Sequence, residues 1–304
     1  MCDDTTTTAT LLSESEGDKR ALEALKKQLA NESGIKAELT KAKIKELQTQ
    51  IKAEKAMKSA LDKSRARFTK NLTSIVKDTD PLTVLSMDED NLTDLILSAG
   101  YAEAVDEFIE QTDRVTKAAQ ATANIVQPDL TFDQRQQAII EAAQRTASQM
   151  SFDGFLLPSV RSAVRESLLS MSLDVPINVA MSSLSLRMKQ AQGRQLTQIN
   201  TQISMYGRSI TASIADAAGI EYYLYTGPED GLTRKFCKPL VGKVVSESQM
   251  NQLDNGQGLN VKTGGGGYNC RHSWSPVTKG FIDAAGLPLA TKSDINNANK
   301  GGKR

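Results

Sequence analysis

Apolar positions recur every three or four residues between Asp18 and Lys77, in a segment rich in Ala, Glu, Lys, Leu and Gln that contains no proline. This spacing predicts long amphipathic helix. The apolar stripe is formed by Leu22, Leu25, Leu29, Ile44, Leu47, Ile51, Phe68, Leu72 and Ile75. Its register slips beside Gly34, so the pattern favours two helical segments, as an arm or a hairpin, over one unbroken coiled coil.

Helical periodicity continues beyond residue 78, but prolines and glycines interrupt it. Pro81 suits a first helical turn, and breaks are expected near Gly100, at Pro128, at Pro176 and at Gly193. Short connections between amphipathic helices predict a helical body over residues 79–218.

The pattern changes at Gly219, where short aromatic and β-branched runs replace helical spacing. The runs IEYYLYTG, GKVVS and RHSWSPV each predict a short strand. Ser246 and Gln249 have the spacing of a capping box, which predicts a short helix after the second strand.

The predicted fold class is therefore mainly α: a helical arm and a helical bundle followed by a small α+β C-terminal module. The expected organisation is a disordered N-terminus over 1–17, a helical or coiled-coil arm over 18–78, a helical body over 79–218, the α+β module over 219–282 and a flexible tail over 283–304.

Composition narrows the functional classes only slightly. The chain has 304 residues, with 37 basic against 36 acidic side chains, so net charge does not drive binding to nucleic acid or membrane. The sequence contains no membrane-spanning run and no signal peptide, which predicts a protein made and kept in a reducing cytosol or in an assembly formed there, without membrane contact. Three cysteines do not make a disulfide framework.

Charge is uneven along the chain, because residues 14–78 carry 16 lysines and arginines against 10 acidic residues. A solvated helix face explains this excess, and contact with DNA phosphates is the alternative, since lysines without aromatic neighbours neutralise the backbone without reading bases. The candidate DNA contacts are Lys41, Lys43, Lys45, Lys52, Lys55, Lys58, Lys63, Arg65 and Arg67.

Reactive residues concentrate in GGGGYNCRHSWSP, which holds the only histidine, His272, and the only tryptophan, Trp274. Thiolate and imidazole suit tetrahedral zinc, so Cys237, Cys270 and His272 are candidate ligands, with Asp230 or water as a fourth. A Cys237–Cys270 disulfide is a further alternative.

Two other interpretations use the same residues. A cysteine-dependent enzyme would pair a thiol with His272, but the sequence supplies no substrate cleft. A structural clasp would bury the cysteines as small apolar groups, frame them with ion pairs and anchor them on the tryptophan. The candidate clasp residues are Asp230, Arg234, Cys237, Cys270, Arg271, His272 and Trp274. We favour this clasp, with structural zinc as the one candidate cofactor and no catalytic residue.

Two motifs in the module resemble the C-terminal domain of Mu F-like minor head proteins of tailed bacteriophages. The first is Asp230-Gly-x-Thr-Arg-x-x-Cys237 with Leu240-x-Gly-Lys-Val, and the second is Asn269-Cys-Arg-His-x-Trp-x-Pro-Val277. Many members of that family approach the second cysteine through Pro-Pro-x-His-Pro-Asn-Cys-Arg-Cys. This chain lacks the upstream histidine and has His272 in place of the last cysteine.

The resemblance implies a structural, non-enzymatic component of a phage virion or procapsid, in the head interior or at the portal vertex and assembled in the host cytoplasm. Its expected partners are the portal protein and the coat or scaffold proteins, with a role in head assembly and in DNA packaging or ejection. Self-association through the helical arm is expected as well. A DNA-binding virion protein is the alternative.

Overall fold

The computed structural model describes residues 5–126 and 133–303, with side chains described for 17–34, 36–125 and 133–303. The chain is 74% helical with one small sheet near the C-terminus, so the predicted mainly α fold with an α+β module is confirmed. Its α-helices are α1 Thr5–Ala30, α2 Gly34–Asp78, α3 Pro81–Leu85, α4 Glu89–Ile96, α5 Ala102–Val126, α6 Gln134–Ser151, α7 Leu157–Ser172, α8 Ile177–Ala217, α9 Glu247–Met250, α10 Val261–Gly264, α11 Lys279–Ala285 and α12 Lys292–Gly302. The strands are β1 Tyr222–Thr226, β2 Val244–Ser246 and β3 Ser273–Pro276.

The chain forms two compact units that do not follow the consecutive domains expected from the sequence. The first unit combines residues 1–52, 112–145 and 203–304, and the second combines 53–111 and 146–202. Within the described residues, no helix has the length and apolarity needed to cross a membrane.

The N-terminal helices form a hairpin in the first unit. Chain reversal at residues 31–33 lets Leu25 of α1 pack against Leu47 of α2, with Ile44 and Ile51 beside them. The expected break beside Gly34 is therefore confirmed. The expectation of disorder over residues 1–17 is wrong from Thr5 onward, because α1 begins there; residues 1–4 lie outside the described residues.

The second unit is a helical bundle in which α2 is not a free arm. Met57, Leu61, Phe68 and Leu72 of α2 are almost fully buried, so the apolar stripe is covered by the chain's own helices. The predicted interruption at Gly100 is a π-helical turn over Leu97–Tyr101. A Cβ atom added to Gly100 would lie only 2.8 Å from the Phe68 backbone nitrogen, so the two backbones approach closely there. By contrast, α8 runs through Gly193 without the expected break.

The C-terminal module in the first unit is built around an antiparallel sheet with strand order β2-β1-β3. Successive side chains of β1 point to opposite faces of the sheet, and both faces are buried. Tyr223 and Tyr225 belong to one apolar cluster, and Leu224 belongs to another. All three predicted strands and the Ser246–Gln249 capping box are confirmed.

The predicted flexible tail is wrong, because α12 packs Ile295 and Ala298 into the core of the module. A capping box between Thr291 and Asp294 starts the helix. Lys243, which precedes β2, donates to Asp294 Oδ1 at 2.6 Å. This contact and the Thr291 amide lower the pKa of Asp294 from 3.8 to about 2.

We expect Asp294 to stabilise the fold only where its carboxylate is charged. A depressed folded-state pKa contributes stability above the unfolded value of 3.8, and that contribution disappears as pH falls towards 2. Urea unfolding should therefore show Asp294→Asn to be less stable than the wild type at pH 6, with the difference shrinking as pH falls from 3.8 through 2. Asp283→Asn on exposed α11 is the matched control, and an equal loss in both variants would contradict the assignment.

Candidate metal centre

Three ligand-type side chains converge in the interior of the module. One ligand atom each from Cys237, Cys270 and His272 lies within 4.8 Å of the other two, and all three residues are buried. Both cysteines are free thiols, so the disulfide alternative is not the state of this structure. The cluster could hold a metal ion.

Local turns position the two halves of this cluster. Cys237 lies in consecutive turns after β1, in which its amide donates to the Arg234 carbonyl at 2.9 Å. Cys270 and His272 lie on the segment that leads into β3, after the glycine run. Because β1 pairs with β3, the two segments meet at the end of the sheet.

Hydrogen bonding fixes the orientation of the His272 ring. Its Nε2 lies 3.0 Å from the Pro228 carbonyl oxygen, which can only accept, so Nε2 carries a proton. Nδ1 faces the Cys270 Sγ at 3.8 Å. A backbone carbonyl on one ring nitrogen is the arrangement that directs the other nitrogen of metal-binding histidines towards the ion.

Tyr225 adds a hydroxyl to the same cluster. Its oxygen lies 3.3 Å from Cys237 Sγ and 3.7 Å from Cys270 Sγ, and its ring stacks on His272. Burial raises the pKa of Tyr225 well above 10, so the hydroxyl stays protonated and can donate to sulfur. Gly266 supplies a further donor, its amide, at 3.2 Å from Cys270 Sγ.

The environment distinguishes the two thiols. The hydrogen bond between them lowers the pKa of Cys270, and nearby His272 and Arg208 act in the same direction against the effect of burial. The same hydrogen bond, together with burial, raises the pKa of Cys237. Cys270 is therefore the sulfur that more readily becomes the thiolate that a metal binds.

Glycines let the backbone close over the cluster. A Cβ on Gly266 would lie 2.4 Å from Cys237 Sγ, and one on Gly227 would lie 2.5 Å from His272 Cδ2. The run GGGG thus serves close backbone approach, and two of its members, Gly265 and Gly267, also adopt positive φ values of 56° and 103°.

Two arginines hold the carbonyls of the surrounding loops. Arg234 donates to the carbonyls of Gly266, at 2.8 Å, and Tyr268. Arg208 of α8 is only 5% exposed and donates to three carbonyls, those of Thr263 at 3.1 Å, Cys270 at 2.5 Å and His272 at 3.0 Å. These contacts give hydrogen-bond partners to five backbone carbonyls in the segments that surround the cluster.

Asp230, which with water was one of two candidates for a fourth ligand, instead forms an ion pair of the kind expected for the clasp. Both of its carboxylate oxygens accept from Arg271, at 2.7 and 2.8 Å, so the fork of the guanidinium occupies them. Burial alone would raise the pKa of Asp230, but the hydrogen bonds and charge of Arg271 more than offset this and lower it. Among the described residues, the metal-type cluster contains Cys237, Cys270 and His272 without Asp230.

The remaining clasp residue, Trp274, is buried beside the cluster. Its indole Nε1 donates to the Val261 carbonyl at 2.9 Å, and its ring packs against Tyr225 with centroids 4.2 Å apart. All seven candidate clasp residues therefore lie in one region of the module. Tyr225, Arg208 and the Pro228 carbonyl were missed, and only the aromatic run around Tyr225 gave any sequence signal for them.

The candidate DNA-contacting cations are not equivalent in the structure. Lys43 is 3% exposed and bound to Glu46 and Ser273, so it cannot reach a phosphate and is removed from the set. Arg65 is bound to Asp62 and Gln192, and Arg67 to Glu103. The exposed lysines of the set are Lys41, Lys45, Lys52, Lys55, Lys58 and Lys63.

Comparison of this chain with protein-family models, curated proteins and solved structures gave no match.

Gly266→Ala should destabilise the module, because its methyl group would overlap Cys237 Sγ. We expect a loss of about 1–3 kcal/mol in the free energy of unfolding, as for other overpacked interiors. Gly231→Ala is the matched control, since a Cβ there meets no atom within 4 Å and should change stability by less than about 0.5 kcal/mol. Equal effects of the two substitutions in urea titrations would contradict the close approach.

Proposed function

We propose that this chain is a structural, non-enzymatic minor head protein of a tailed bacteriophage, acting near the portal in head assembly and in DNA packaging or ejection. The observation that carries the proposal is the convergence of the two resembling motifs. Cys237 from the first motif meets Cys270 and His272 from the second, and Asp230 pairs with Arg271 across the same two segments. The residues behind the resemblance thus act together as one clasp.

Burial of the reactive groups favours a clasp over an enzyme. Cys237 is 1% exposed, Cys270 6% and His272 3%, and the Gly266 backbone covers the sulfurs. A nucleophilic thiol must reach its substrate, whereas an atom that joins two segments is best buried.

We also propose that zinc occupies the clasp. Sulfur and nitrogen ligands of tetrahedral zinc lie about 3.5 Å apart, close to the 3.8 Å between Cys270 Sγ and His272 Nδ1. The third ligand would be Cys237, with water as the fourth, while the protonated Tyr225 hydroxyl donates to the sulfurs. Bound zinc would join the turn after β1 to the segment before β3, which adds stability to a small module.

Zinc content tests this proposal. Full-length protein purified without chelators should contain about one zinc per chain, and Cys237→Ser, Cys270→Ser or His272→Gln should lower zinc affinity more than tenfold. Asp283→Asn is the control, since Asp283 is an exposed ligand-type residue that is not part of the cluster. Metal-free protein whose thermal midpoint is unchanged by added zinc would show that the clasp works by packing and hydrogen bonds alone.

Assembly tests the head-protein proposal. Co-expressed with portal and coat proteins, the chain should copurify with procapsids at low copy number, and Cys270→Ser should reduce its incorporation several-fold. An unrelated protein of equal size, co-expressed in the same way, is the control for passive trapping inside procapsids. Incorporation no greater than trapping would overturn the proposal, whatever the zinc content.

A further inference from the structure

A groove of about 970 Å³ lies in the first unit between helices α1, α2 and α5. The hairpin of α1 and α2 lines one side of the groove, and residues 114–125 of α5 line the other. The groove is separate from the Cys237–Cys270–His272 cluster, none of whose residues line it.

The rim of the groove is strongly basic. Six cationic side chains line it: Lys26, Lys41, Lys45, Lys52, Arg114 and Lys117. Among the residues that the structure describes, Glu38 is the one acidic side chain that lines the groove, and it is bound to Lys41 at 2.7 Å. The chain as a whole is almost neutral, so this concentration of positive charge is local.

The floor of the groove is apolar. Leu29, Ile44 and Ile125 contribute partly exposed branched side chains from the three helices, and Ala118 and Ala121 add small ones from α5. None of the described residues that line the groove is aromatic. A ligand that met only the rim would leave this apolar surface in contact with water.

The dimensions of the groove suit a helix. Lys41, Lys45 and Lys52 lie on α2, and the first and last are eleven positions apart, or roughly 16 Å at 1.5 Å per residue. That length corresponds to about three helical turns. Alanines at the floor leave room for the side chains of an incoming helix.

We propose that this groove binds an acidic amphipathic α-helix of a partner protein. The apolar face of that helix would cover Leu29, Ile44 and Ile125, while its flanking carboxylates would meet the lysines of both walls. Helix-in-groove recognition of this kind combines apolar burial with charges that select the partner.

Nucleic acid fits the groove less well. A phosphate backbone would use the lysines but would bury none of the apolar floor, and no aromatic side chain offers a stacking surface for bases. An acidic amphipathic helix matches both the rim and the floor, so the combined features favour a protein partner.

The test measures fluorescence anisotropy with the full-length protein and three labelled probes. The first probe is an 18-residue helical peptide with Leu on one face and Glu on the other, the second has Gln in place of every Leu, and the third is a 20-base-pair DNA duplex. We expect the Leu/Glu peptide to bind at least about tenfold more tightly than the Gln/Glu peptide, because only the former covers the apolar floor.

Matched charge reversals locate the site. Lys45→Glu with Lys52→Glu should weaken binding of the Leu/Glu peptide by about tenfold or more, because two rim contacts become repulsive. Lys55→Glu with Lys58→Glu makes the same change in net charge on exposed positions of the same helix outside the groove, and should change affinity less than about twofold.

A neutral substitution in the floor separates peptide from nucleic acid. Ala121→Gln adds bulk at an exposed floor position and should weaken the Leu/Glu peptide several-fold without affecting phosphate contacts. Tighter binding of duplex DNA than of the peptide, equal effects of the two lysine pairs, or absence of peptide binding to folded protein would each overturn the proposal.

Discussion

The C-terminal module depends on donors for the buried carbonyl groups of its irregular loops. Its three strands contain only five, three and four residues, so the sheet leaves much of the surrounding backbone without ladder partners. Arg208 and Arg234 supply donors to five such carbonyls. Unsatisfied buried carbonyls cost more than the net gain from a typical hydrogen bond, so these guanidinium groups decide whether the glycine loop can be buried.

Burying that loop brings the sulfurs, the imidazole and the tyrosine together. Gly266 illustrates the link, because its carbonyl accepts from Arg234 while its amide donates to Cys270 Sγ. The arginine therefore positions the backbone that encloses the cluster, and a side chain at this glycine would displace it. The same contacts therefore bury the loop and place the candidate ligands. Because of this, a metal ion would bind to a site that is already largely formed.

Sequence reasoning succeeded where the cause of a structure was local. Pro81 after Asp80, the Ser246–Gln249 capping box and the aromatic and β-branched run of β1 depend on residues close together in the chain. Sequence reasoning failed where the interacting residues are far apart in the chain. Arg208, which binds the His272 carbonyl, is 64 residues from it, and Arg271, which binds the Asp230 carboxylate, is 41 residues from that aspartate. Helix periodicity placed the lysines of α2 on helical faces but gave no indication that Lys43 is buried.

Lys43 also connects the two sites within the first unit. It is paired at 3.1 Å with Glu46, which accepts from Thr122 of α5 at 2.7 Å, and both ends of the pair bond Ser273 at the start of β3. Breaking a buried ion pair by removing one partner leaves an uncompensated charge, so this network fixes its neighbours firmly. The same contact thus sets the positions of α2 and α5, which form the groove, and of the strand that follows the clasp. Substitutions in the groove and in the clasp share this network, so their effects on stability are not expected to be additive.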